Sequence, residues 1–382
     1  MSLGVRITYK GKSNHILFNL QRSYAKMLAD QMKLSDGKKI HRPSDSPIDV
    51  TNALKIRTKK SQIEQFKRNI EDGKAFMMNY DTVLQSTVNS LQRARELAIQ
   101  GRNDTYDATT RRYLGQEVAQ IIRGIVQFAN TTYKGNYIFN GTMTDEPPYI
   151  LRSEQEDMTI TASDVGTPLQ IGASLEPPTE NIIPTSVKVT NSTGSVIYQE
   201  GVDYKIDYKN GTITILSGGA IASSTPTDIT IFYENINKNP KSSRDHIYRQ
   251  IGENEIIPIN LTTHEVFENT AHGTDIFDSL ITLAEGLVEN NVNDIETSID
   301  KIDIIQQQVV SASAKNGARI NRIENALFDI KKENQYVTDL MSQFEDIDFA
   351  EVISDFHLQE NLFNASLQVA SKILQPFLGD YL

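Results

Sequence analysis

The chain has no cysteine and no tryptophan among its 382 residues. The first absence excludes disulfides, thiolate metal sites and cysteine nucleophiles. The second, with no obvious aromatic platform elsewhere, leaves little to stack against a sugar. Histidine is sparse as well. His15, His41, His246, His264, His272 and His357 are scattered, and no two have the i, i+4 spacing of a helical metal pair. No metal or other cofactor is expected. Apolar runs all fall short of the ~20 residues that span a bilayer, so no membrane insertion is expected. The opening "MSLGVRITYKGKSN" lacks the apolar stretch of a secretory signal, so any export must use a route without a cleaved one.

Catalytic motifs are equally thin. Gly11-Lys12-Ser13 matches the end of a phosphate-binding loop, but that motif needs a glycine where Arg6 stands and a strand ahead of it. The carboxylates of Glu345 to Asp348 precede a helix, where complementing its dipole is their expected role. No Ser/His/Asp set has local support. An enzyme is not expected.

What is present is length and charge asymmetry. The chain can hold several domains, and 23% charged against 38% hydrophobic residues argues for a folded protein. The net charge of -11 argues against nucleic-acid binding. Residues 1–100 hold 18 basic and 9 acidic side chains, whereas residues 271–382 hold 7 and 19. A basic N-terminal part and an acidic C-terminal part attract each other if they lie side by side.

Helical periodicity dominates both ends. Leu17, Leu20, Tyr24, Met27 and Leu34 step as the seam of a coiled coil, with Gln31 in the open slot. A longer run from about residue 47 to 100 keeps a heptad register through Ile56, Ile63, Phe66, Ile70, Met77, Tyr80, Leu84 and Leu91. A third helix is expected over about 107–131. Near the C-terminus, Ile302 to Phe344 step by three and four, with a stutter after Asn316 that unwinds a coiled coil without breaking the helix. Phe349, Val352, Phe356, Phe363, Ala370, Ile373 and Phe377 then mark a last amphipathic helix. At heptad spacing this aromatic stripe reads as a protein-protein seam.

Between about 145 and 270 the period becomes alternating, and nine of the twelve prolines fall there. In "DYKIDYKNGTITIL" an Asn210-Gly211 two-residue turn is expected to pair Lys209 with Thr212, Tyr208 with Ile213 and Ile206 with Ile215. This is a β domain inserted in a helical protein.

The segment "SDGKKIHRPSDSPID" interrupts the first two helices. Gly37 suits a left-handed residue past the first helix, with Lys38 and Lys39 complementing its dipole, and Pro43 blocks its resumption. Ser46 is the expected N-cap of the second helix, Pro47 its first-turn proline, and Ser46 and Asp49 a capping pair.

"MKLSDGKKIHRPSDSPIDVTNALKIR" resembles a diagnostic segment of the hook-associated protein 3 (FlgL) family, the hook-filament junction proteins of bacterial flagella. So do "RARELAIQGRNDT", "GNYIFNGT", "NGARINRIENAL", "FEDIDFAEVI" and "NASLQVASKILQPFLGDYL". The family's paired aspartates before the second proline are here Asp45 and Ser46. The match covers about residues 16–145 and 270–382.

The resemblance implies a mainly α, flagellin-like fold: a long antiparallel coiled coil and helical bundle built from both termini, with an outward β-rich domain. It assigns 1–42 and 345–382 to a terminal coiled-coil core, 43–144 and 271–344 to a helical bundle, and 145–270 to the inserted domain. It makes the two terminal stripes the assembly interface, and Gly37, Pro43, Asp45, Ser46 and Pro47 the connection between layers. Implied partners are further copies in a ring, hook-associated protein 1 on the hook side, flagellin, an export chaperone and the flagellar type III export apparatus. The implied location is the flagellum, secreted, or periplasmic where the flagellum is internal. Two alternatives stay open. A flagellin filament subunit shares the helical ends, and an adhesin-like protein would bind a surface through its β domain.

Overall fold

The computed structural model describes residues 9–42, 46–224, 226–269 and 271–374. In chain order the elements begin with α1 (Tyr9–Asp36), α2 (Pro47–Arg102), α3 (Ala108–Ala129), β1 (Thr132–Tyr133), β2 (Asn136–Tyr137), β3 (Tyr149–Ile160) and β4 (Pro168–Gln170). There follow β5 (Lys188–Asn191), β6 (Tyr204–Asp207), β7 (Thr212–Ile215), α4 (Ala220–Ser223), β8 (Thr227–Lys238), β9 (Tyr248–Gln250) and β10 (Ile256–Pro258). The chain closes with α5 (Thr263–Val266), β11 (Glu268–Asn269), β12 (Thr274–Asp275), α6 (Ile276–Val288), α7 (Val292–Glu345) and α8 (Phe349–Leu374). Long helices at both ends and strands in the middle make this a mainly α chain with a β insertion. Two compact units emerge, one from residues up to Lys67 with those from Asp329 onward, the other from Arg68 to Phe328.

In the second unit, two three-stranded antiparallel sheets carry the β region, in the orders β3-β8-β5 and β4-β7-β6. β3 and β8 pair along all twelve residues, from Tyr149 opposite Lys238 to Ile160 opposite Thr227. The β6-β7 register differs from the two-residue turn expected from Asn210-Gly211. Ile206 lies opposite Ile213 and Asp207 opposite Thr212, which leaves four residues in the loop. The cause is capture of Asp207: its carboxylate accepts from the backbone N–H and side-chain Nδ2 of Asn210, and its carbonyl accepts from Gly211 N–H. Tyr208 is thereby freed to enter the interior, where its hydroxyl donates to Glu200 Oε2 at 2.6 Å. The shift is two residues, so the same alternate side chains still face inward.

α3 starts where Asp107 accepts from Thr110 N–H. Arg111 ties this corner by donating to the carbonyls of Gly101 and Asn103 and to Asn290 Oδ1. α6 was not marked by any heptad register. Its signals are local, an Asp275 N-cap that accepts from Phe277 and Asp278 N–H, and buried Ile276, Leu280, Leu283 and Leu287. An aromatic chain of Tyr80, Phe139, Phe267, Tyr149 and Phe277 in edge-on contact fills the core of this unit.

α2 and α7 also run antiparallel within this unit, tied by Lys74–Glu324, Arg95–Asp303 and Arg102–Glu296. Asn316, fully buried, donates to the Met77 carbonyl at 3.0 Å. α7 runs unbroken through the stutter, as its double step of four requires.

Candidate assembly interface

The first unit is built around α1 and α8, which pack antiparallel. Gly37 lies against Phe349, and the Tyr24 and Phe363 rings are 5.6 Å apart. Continuing that register sets Leu34 level with Val352, Met27 with Gln359, Leu20 with Ser366 and Ile16 with Ala370. These are the least exposed positions of each helix. Ser23 is level with Phe363 and Asp30 with Phe356, so large side chains meet small or polar ones along the seam.

The α8 stripe read from the sequence therefore turns inward at Val352, Phe356, Phe363 and Ala370. On α1 only Leu20, Met27 and Leu34 do so, whereas Leu17 and Tyr24 are 50% and 46% exposed. Phe349 is also largely exposed. Two apolar stripes share α1, and packing against α8 selects the one through Ile16 and Ser23. Pro43, Asp45, Phe377 and the side chain of Ile373 lie outside the described residues.

The seam is shallow. Among the described residues of α1 and α8, Ala370 alone is fully buried. Large apolar side chains remain on the outer surfaces, including Leu17, Phe18, Leu28 and Met32 of α1 and Ile353, Leu358, Leu362, Leu367 and Val369 of α8. Exposed apolar area of this extent is unusual on the surface of a soluble helix pair.

Below the pair, two chain breaks meet. α1 ends at Gly37, whose φ of +72° and N–H bond to the Lys33 carbonyl complete a left-handed helix stop. α7 ends at Glu345, and α8 begins after Asp348 accepts from the N–H groups of Ala350 and Glu351. Lys39 N–H donates to the Glu345 carbonyl at 2.7 Å, and Ile347 N–H to the Gly37 carbonyl at 3.0 Å. Lys38 and Asp346 thus form a one-residue antiparallel bridge.

Side chains reinforce it. Lys38 Nζ lies 2.6 Å from Asp346 Oδ1 and 3.5 Å from Glu345 Oε2, and Arg57 Nε donates to Glu345 Oε1 at 2.6 Å. The Arg57 hydrogen bond holds the Glu345 carboxyl below its ordinary range, and Lys38 does the same for Asp346. Asp346 in turn raises Lys38. Asp36 is lowered chiefly by the backbone N–H of Lys38, and its other oxygen meets His41 Nε2 at 2.7 Å. At the opening of α2, Ser46 Oγ donates to Asp49 Oδ2 and the Ser46 carbonyl accepts from Val50 N–H. Pro47 is the first helical residue.

Lys38, Arg57, Glu345 and Asp346 were not read from the sequence as a group. Lys38 and Glu345 were expected to serve helix dipoles, and Asp348 alone takes that part. The charge asymmetry between the chain ends was the one signal of their meeting.

Among the described residues, no group of three or more His, Asp or Glu side chains could hold a metal ion. No described helix is long and apolar enough to cross a membrane.

Comparison with known proteins adds the biological setting. Residues 7–144 match the bacterial flagellin N-terminal helical region. Over 385 aligned residues the chain is 22% identical to a flagellin of Clostridium tyrobutyricum, covering 95% of this chain and 97% of that protein. It is 29% identical over 154 residues to the flagellar filament 33 kDa core protein of Treponema phagedenis, covering 40% of this chain and 50% of the relative. Its fold is similar to that of a Vibrio parahaemolyticus protein described as flagellar hook-associated, with a TM-score of 0.52 and 15% identity. That likeness covers 79% of this chain and all of the other. The chain is a structural, non-enzymatic protein of the bacterial flagellum, related to the flagellins and similar in fold to one protein described as hook-associated.

Proposed function

We propose that this protein is the hook-filament junction component, a ring-forming adaptor with hook-associated protein 1 on one side and flagellin on the other. The observation that carries the assembly part is the α1–α8 pair, whose outer faces keep large apolar side chains in solvent. Burial of those faces against further copies supplies the driving force, at about 25 cal/mol per Å² of apolar surface covered. The junction part rests on "HRPSDSP" between α1 and α2, at a position where flagellins usually carry a different stretch.

In this reading residues 1–42 and 345–382 form the terminal layer, 43–144 and 271–344 the bundle, and 145–270 the domain left for the outer surface. The Lys38–Asp346 bridge and Pro47 then mark the change of layer. Export runs through the type III flagellar apparatus with a dedicated chaperone, to an external or a periplasmic flagellum. Deleting the gene tests the role: cells should carry hooks without filaments and release flagellin into the medium. Normal filaments on the deletion strain would refute it.

A filament subunit is the second reading, favoured by the end-to-end similarity to a flagellin. Copy number separates the two, since a junction ring needs few copies per flagellum and a filament thousands.

A further inference from the structure

The start of the β6-β7 hairpin runs along α6 in the opposite direction. Lys209 Nζ lies 2.7 Å from Asp278 Oδ1 near one end of the helix, and Lys205 Nζ lies 3.6 Å from Oε1 of Glu289, its C-cap. Asp278, Glu285 and Glu289 share one face of α6, since steps of seven and eleven residues return to within about 20° of the same direction. Eleven helical residues rise about 16 Å and four extended ones about 13 Å, so both lysines reach their partners together.

Between these two pins the charges clash. Glu285 is half-buried and makes no side-chain hydrogen bond or close ion pair among the described residues. From the hairpin it faces Lys205 and also Asp207, whose two oxygens already accept from Asn210. Glu289 and, from the first turn of α7, Asp294 add two more negative charges. Glu285 also stands in the last turn of α6, where the helix dipole opposes an anion. A second carboxyl repeats the pattern. Glu200, ahead of β6, accepts from the Tyr208 hydroxyl through Oε2, while its Oε1 is buried with no hydrogen-bond partner among the described residues. Glu289 and Arg112 of α3 face Glu200, as does Tyr204, and Tyr208 faces both carboxyls.

We propose that α6 and the β6-β7 hairpin form a proton-controlled latch: Lys205 and Lys209 pin the hairpin to Glu289 and Asp278, and Glu285 between them closes the contact only while it carries a proton. Burial is the first cause that raises Glu285, to about 7 from an ordinary 4.5, with Glu289, Asp207 and Asp294 adding to it and Lys205 opposing. The docked hairpin therefore holds a proton that the undocked one releases. Docking is full below about pH 4.5 and weakens as pH rises, by at most about 300-fold once pH exceeds 7. Burial raises Glu200 as well, so its titration works in the same sense.

The absence of cysteine lets two thiols be placed without competition. Spin labels on Val202→Cys, exposed just ahead of β6, and Thr297→Cys, exposed on α7, report the distance from the hairpin to the helices in the full-length chain. One distance should dominate at pH 5, and a second, longer one should rise at least ten-fold in share by pH 8. Glu285→Gln, neutral at every pH, should keep the shorter distance at pH 8 in a larger share than the parent. Lys209→Met should populate the longer one at both pH values. A parent distance that does not change between pH 5 and pH 8 would overturn the latch. Opening of Glu285→Gln to the same extent as the parent would overturn the role of Glu285. Lengthening accompanied by loss of helical circular dichroism would show global unfolding, and would overturn the proposal as well.

Discussion

Arg57 on α2 donates its Nε–H to Oε1 of Glu345, the last residue of α7, at 2.6 Å. The two residues are 288 positions apart, and their bond closes the meeting of an N-terminal and a C-terminal chain break. Glu345 is almost fully covered and also faces Lys38, so neutralising it takes the charged partner from Arg57 and leaves Lys38 with Asp346 alone. Glu345→Gln is expected to cost about 1–3 kcal/mol locally. The check is amide exchange: protection of residues 50–60 of α2 and 338–345 of α7 should fall while that of residues 276–288 stays unchanged.

Two sets of carboxyls, one at the Lys38–Asp346 bridge and one around α6, should answer pH in opposite senses. Glu345, Asp346 and Asp36 titrate below their ordinary values, so the folded junction binds fewer protons than the unfolded chain there. Its stabilisation is present above about pH 4.5 and is lost as pH falls through the lowered values. In the second unit, burial raises Glu285 to about 7 and Asp275 to about 6. A raised carboxyl stabilises the protonated fold, so this contribution is full at acid pH and declines as pH rises toward 7. Glu285→Gln should flatten that decline, measured as exchange of α6 amides at pH 5 and pH 7.5. An unchanged pH slope would refute the assignment.

Two glycines with positive φ should differ in tolerance. At Gly37, φ is +72° and a Cβ would meet only the Phe349 ring at an ordinary 3.6 Å. Gly37→Ala should therefore cost about 1–2 kcal/mol of backbone strain. At Gly211, φ is +67° and a Cβ would fall 2.1 Å from the Thr179 carbonyl oxygen. Gly211→Ala should cost more, and thermal unfolding of the second unit should report a larger drop than Gly37→Ala produces in the first.

The terminal pair should be the least protected helical region of the isolated chain. Its seam contains Ser23, Asp30, Gln359 and Ser366, and the large residues around them stay partly wet. Opening such a pair exposes little additional apolar surface, so its local free energy is small. Exchange of α1 and α8 amides should be fast in monomer and slow sharply on assembly. Strong monomer protection would contradict this.

Leu20 and Phe356 both face the seam. Leu20→Asp or Phe356→Asp places a carboxylate where the pair and its neighbours exclude water, at a cost of several kcal/mol, or about 2–7 by transfer scales. Cells carrying either variant should build hooks and shed flagellin. Normal filaments would show that this seam is not used.

The helical ends, the alternating middle and the break at Gly37 were legible because each is written in neighbouring residues. Ser46 and Pro47 announce the start of α2, and heptad steps mark α2 and α7. α6 was missed because a single buried helix of 13 residues carries no long period, only a cap and seven buried apolar side chains spread around much of its circumference. The β6-β7 register was misplaced by two residues because Asp207 competes for Asn210 more strongly than the Asn-Gly pair prefers a tight turn.

What the sequence determined by itself is local: helix and strand identity, the stop at Gly37, and the absence of any cysteine or metal-pair chemistry. The tertiary structure decided the rest. α1 carries two apolar stripes, and only packing against α8 selects Ile16, Leu20, Met27 and Leu34, leaves Leu17 and Leu28 outside, and sets Tyr24 at the margin against Phe363. Arg57 and Glu345 are unremarkable charges until chain reversal brings them together. The periodicity of a helix says which residues share a face, and the partner helix decides which face is buried.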